Sequence, residues 1–78
     1  MTTIHLKYPI KSNGIEIQSV TLRRITVGDL EAVSHESSEV GKSLKLVSML
    51  GELSPEDVRK IDASDFNKFN EAVSDFLE

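Results

Sequence analysis

The chain contains no cysteine. Disulfides, thiolate nucleophiles and sulfur-ligated metal centres are therefore excluded. Tryptophan is also absent, and there are only two prolines and four glycines. Gly14, Gly28, Gly41 and Gly51 lie scattered, whereas a phosphate-cradling loop needs its glycines clustered. No apolar run approaches the ~18 residues of a membrane span. Lys7, Lys11 and Glu16 interrupt the N-terminal stretch, so no secretory leader is read there. Positive charge is scarce: nine Lys and Arg face thirteen Asp and Glu, for a net charge of −4. An acidic chain repels phosphate backbones, which argues against nucleic acid as the main partner.

The 78 residues allow one domain, 1–78. Leu, Ile, Val and Phe supply 24 of them, well above the level of a disordered chain. The expectation is a soluble cytosolic module without cofactor or metal. Its charge is uneven. Residues 1–25 carry Lys7, Lys11, Arg23 and Arg24 against Glu16 alone, a net of +3, and the rest of the chain carries −7.

Residues 4–10 alternate, with apolar side chains at 4, 6, 8 and 10, the period of a half-buried strand. Pro9 cannot donate to a ladder and marks an edge or a bulge. Ser12-Asn13-Gly14 is a turn signal, because Asn and Gly tolerate positive φ. A second strand is expected over about 15–24. Its apolar positions, 15 and 17 and then 20 and 22, slip phase near Ser19, and a β-bulge absorbs such a slip. A two-stranded hairpin is marginal alone and needs cover.

Helices provide it. Thr26 and Asp29 have the spacing of a capping box, opening a helix over 27–36 that presents Leu30 and Val33. Its end is the polar run Ser34–Ser38. A second helix is expected over 39–50, with Gly51 at its left-handed C-terminal position. Ser54-Pro55-Glu56-Asp57 starts a short third helix that ends near Ile61. Asp62 and Asp65 start a fourth, with Phe66, Phe69, Val73, Phe76 and Leu77 on one stripe. The fold class expected is α+β: a hairpin over 1–25, then three or four short helices over 26–78.

The second helix is unusually apolar. At 100° per residue, Val40, Leu44 and Val47 cluster tightly, and Leu50, Leu46 and Met49 widen the arc to roughly 220°. One reading makes this helix central, covered on two sides. The other leaves Leu46, Met49, Leu50 and Leu53 partly open as a partner-binding face, a use suited to adaptable Met and to open apolar surface.

Catalytic patterns are missing. His5 and His35 are isolated, no serine sits in a nucleophile elbow, and the paired acids Glu56/Asp57 and Asp62/Asp65 suit helix N-termini. Arg23 and Arg24 adjoin, so they point to opposite faces of a strand. The one on the covered side needs an acid, with Asp29 or Glu31 nearest in sequence.

The order of segments resembles a known family. Leu6-Lys7-Tyr8-Pro9-Ile10, a Gly-containing turn, then Thr21-Leu22-Arg23-Arg24 running into Thr26-x-x-Asp29-Leu30 is similar to the tail assembly chaperones of Mu-like and related contractile-tailed phages. So is Leu50-Gly51-Glu52-Leu53-Ser54-Pro55-Glu56-Asp57-Val58 with Ile61-Asp62-x-x-Asp65 and Phe76-Leu77. One position departs: the family commonly has Pro after the double Arg, where this chain has Ile25, which loosens the strand-to-helix corner. The resemblance implies a non-catalytic protein of the host bacterial cytoplasm, encoded by a phage or prophage and absent from the mature virion. It implies binding to the tape-measure protein and recruitment of tail-tube subunits. It also implies a longer, frameshifted form of which this chain is the short version. Two other readings stand beside it: an adaptor that binds by its strand edge, and a homo-oligomer joined through the second helix. Neither involves nucleic acid or membrane.

Overall fold

A computed structural model of the chain describes residues 1–78. Two strands, β1 (Thr2–Ser12) and β2 (Ile15–Leu22), precede four helices, α1 (Val27–Val33), α2 (Glu39–Gly51), α3 (Pro55–Arg59) and α4 (Ala63–Phe76). The strands pair antiparallel as a hairpin, so the architecture is the α+β arrangement expected. Asn13 and Gly14 form its turn with φ of 52° and 81°. Positive φ at both central residues matches the strand twist, and Asn-Gly supplies it at little steric cost.

The register is regular at both ends, with Ser12 opposite Ile15 and Thr2 opposite Leu22, and it shifts between His5 and Ile10. Since His5 faces Ser19 and Ile10 faces Ile17, residues 6–9 of β1 oppose Gln18 alone. The extra residues thus sit in β1, around Pro9, opposite the expected phase slip at Gln18 and Ser19 of β2. They turn Tyr8 outward, leaving that side chain 50% exposed against the strict alternation.

Each helix starts at a polar cap. Thr26, Ser38, Ser54 and Asp62 accept from backbone N–H groups of Asp29, Gly41, Asp57 and Ser64. The Thr26/Asp29 capping box forms with both of its bonds. Helix α1 stops at Val33, three residues short of the sequence reading. Helix α2 runs one residue longer than expected, through Gly51, and its left-handed cap is Glu52 at φ 55°. Gly51 has another task. A Cβ there would lie 2.8 Å from Cγ1 of Val20 and 3.4 Å from Cδ2 of Leu22, so its bare backbone is what seats α2 on β2.

One apolar cluster joins Ile4, Leu6, Ile10, Val20 and Leu22 of the hairpin to Val47, Leu50, Val58, Ile61, Phe69 and Ala72 of the helical part. Phe69 is fully buried, whereas Phe66, Val73 and Phe76 are only partly so. The buried line of α4 is Asp65, Phe69 and Ala72, rotated from the Phe66–Phe69–Val73 stripe, because Asp65 is drawn inward by the backbone of β1.

Candidate functional site

The apolar arc of α2 is divided between core and surface. Val47, Leu50 and Leu46 are buried at 0%, 1% and 9% exposure. Met49 and Leu53 are half-buried. Leu46 and Leu50 are therefore buried rather than open, Leu50 within the cluster that joins α2 to β2 beside the Gly51 contact. Val40, which clusters with Leu44 and Val47 on the helical wheel, is 70% exposed.

The exposed flank of α2 borders a groove. Val40 and Leu44 form one wall, Val58, Ile61, Ala63 and Phe66 the other, and Arg59 stands at its mouth. The cavity holds about 270 Å³ and opens to solvent. Six of its seven lining residues are apolar. Arg59 takes part in none of the four ion pairs of the chain, so its guanidinium is free to meet an incoming carboxylate. This groove is the open apolar surface that the wide arc of α2 signalled, one flank away from Leu46, Met49, Leu50 and Leu53. It was missed because the packing of β2, α1 and α3 on α2 decides the covered flank, and periodicity within α2 does not show that packing.

Three carboxylates tie the elements of the fold together. Asp65 is 0% exposed and accepts from the backbone N–H groups of Lys7 and Tyr8, each at 3.0 Å, and from Lys68 Nζ at 3.0 Å. Burial is the largest influence on it and pushes its pKa up, but the two N–H groups and Lys68 together outweigh burial and hold it below the ordinary carboxylate value. These are the donors the β1 irregularity frees from the ladder. Asp57, in α3, accepts from Ser12 Oγ at 2.7 Å and from Lys60 Nζ at 3.2 Å, and its pKa is lowered chiefly by the Ser12 bond.

Asp29 is the third. Arg23 clamps it with two bonds, at 2.7 and 2.9 Å, and Thr26 adds its N–H and Oγ. The Arg23 bonds, ahead of the Thr26 contacts, drive its pKa far down against its own burial. This clamp also stiffens the corner that Ile25, in place of Pro, was expected to loosen. Arg24 instead lies over the Phe76 ring at 5.6 Å and donates to the Phe76 carbonyl at 3.4 Å. Both arginines lie just beyond the end of β2 rather than inside it.

No three His, Asp or Glu side chains converge as metal ligands. No helix is long and apolar enough to cross a membrane. No curated protein and no solved structure matches the chain. Residues 3–78 match the family described as phage tail assembly chaperone proteins, E, or 41 or 14. With a hairpin, a helical layer and an open apolar groove on a chain matched over nearly its whole length, this protein belongs to the phage tail assembly chaperone family.

Proposed function

We propose that the chain is a non-catalytic chaperone that holds tape-measure protein soluble during tail assembly and helps bring tail-tube subunits to it. It acts in the bacterial cytoplasm and leaves before the virion is complete. The observation that carries this reading is the groove between α2 and the start of α4. An amphipathic helix buries its apolar stripe in such a groove, and an acid on its flank meets Arg59. The net charge of −4 keeps the loaded complex dispersed.

The test is capture of purified tape-measure fragments by the parent and by a Val40→Asp/Ala63→Asp double variant. Both positions are solvent-exposed and lie in first helical turns, where Asp is well placed. The variant keeps its circular dichroism spectrum and melting temperature. Its capture falls roughly tenfold or more, because a charge in an apolar interface goes unpaired. Undiminished capture by the folded variant overturns the assignment of the groove. Met49 and Leu53, half-buried on the neighbouring face of α2, are then the next positions to change.

A further inference from the structure

The hairpin has two edges, and the fold treats them differently. Along β1 four of the backbone groups are taken by the helices. Asp65 receives the N–H groups of Lys7 and Tyr8, Lys68 Nζ donates to the His5 carbonyl at 3.3 Å, and Lys60 Nζ donates to the Lys11 carbonyl at 2.8 Å. Pro9 and the bulge add to this protection. Along β2 nothing comparable occurs. No backbone group of Ile15–Leu22 bonds to anything beyond the hairpin, and outside contact resumes only at Arg23, whose N–H donates to the Leu50 carbonyl at 3.2 Å. The backbone groups of Ile15–Leu22 that point away from β1 are thus left without a hydrogen-bond partner.

The sequence of that edge is a palindrome in facing. Ile15, Ile17, Val20 and Leu22 carry the apolar, helix-side phase, while Glu16, Gln18, Ser19 and Thr21 are exposed on the other side. The order is in, out, in, out, out, in, out, in. It reads the same in both directions about a point between Gln18 and Ser19. Residues directly opposite in an antiparallel pair must share a face. Only a two-fold axis at that point satisfies this along the whole strand: Ile15 then meets Leu22, Glu16 meets Thr21, Ile17 meets Val20 and Gln18 meets Ser19. Shifting by one residue sets apolar against polar at every pair except the residue on the axis. No charged residue faces its like.

We propose that β2 pairs antiparallel with β2 of a second copy of this chain, giving a four-stranded sheet with the helices of both copies on one face. The pairing ends at Leu22, where Leu50 takes the next N–H. It also brings Ile15, which is 70% exposed, beside the Leu22 end of the other copy's strand. The phase slip that breaks strict alternation in β2 is what makes the strand self-complementary.

Sedimentation of the full chain over a range of concentrations tests this. The parent shows a monomer–dimer equilibrium. Thr21→Glu, which opposes Glu16 across the axis twice, weakens the dimer about tenfold. Adding Glu16→Lys to Thr21→Glu makes both pairs attractive and restores it. Melting curves at the lowest concentration confirm that each variant folds as a monomer. A parent that stays monomeric at the highest soluble concentration overturns the proposal. So does a dimer indifferent to Thr21→Glu, or one that the second change fails to restore. These outcomes do not bear on tape-measure capture through the groove, which the Val40/Ala63 variant reads separately.

Discussion

Replacing Asp65 with Ala removes the one side chain that ties the irregular part of β1 to α4. The carboxylate is fully buried and holds two backbone N–H groups and Lys68. Each donor left without a partner costs about 1–3 kcal/mol. Lys7 and Tyr8 are exposed residues, so water reaches part of that bulge, and the low half of the range applies. The loss is about 2–4 kcal/mol for the two together. A domain of this size holds about 5 kcal/mol in total, and each kcal/mol moves the midpoint by about 4–8 °C. Thermal unfolding followed by circular dichroism therefore shows a midpoint at least about 8 °C lower. Lys68→Ala is the control. It leaves both backbone donors on Asp65 but takes the counter-charge from a fully buried carboxylate, so its midpoint falls, though by less than that of Asp65→Ala. Asp65→Asn keeps one acceptor and falls between. An Asp65→Ala protein melting within about 3 °C of the parent would refute the reasoning, since the two N–H groups would then have found water at no cost.

Further outcomes follow from the same contacts. Phe69→Ala, at a fully buried position, loses about 3–5 kcal/mol, and a denaturant titration shows it close to unfolded in water. Gly51→Ala forces a Cβ to 2.8 Å from Val20, so it destabilises by about 1–3 kcal/mol although Ala is the better helix former; a raised midpoint would contradict the close approach. Arg23→Ala lowers the melting temperature clearly because it strands the buried Asp29, whereas Arg24→Ala hardly moves it. Asp29, Asp57 and Asp65 all have folded pKa values below the ordinary 3.8. Their contribution is complete above that value and is lost as pH falls through the lower folded ones. Melting temperature thus drops steeply on acidification below about pH 4; a flat profile down to pH 2 would contradict these assignments.

Local chemistry alone determined the order and starts of the elements. Ser, Thr or Asp caps with Pro55 in the next position, and Asn13-Gly14 between two alternating runs, act within a few residues of themselves. They hold whatever the rest of the chain does. The Arg23–Asp29 pair was legible for the same reason, since its partners are six residues apart. What lay beyond the sequence was decided by segments that meet only on folding. The arc of α2 named six apolar residues but not its covered flank, and the seat of Gly51 on Val20 and Leu22 set Val47 and Leu50 into the core while Val40 stayed exposed. The pattern of α4 showed a Phe stripe but not the pull of β1 on Asp65, a contact across 58 residues, so the stripe was read rotated toward Phe66 and Val73. Burial depends on what lies opposite. A periodic sequence shows how much of a helix is apolar, and only the packing of distant elements chooses which part of it meets water.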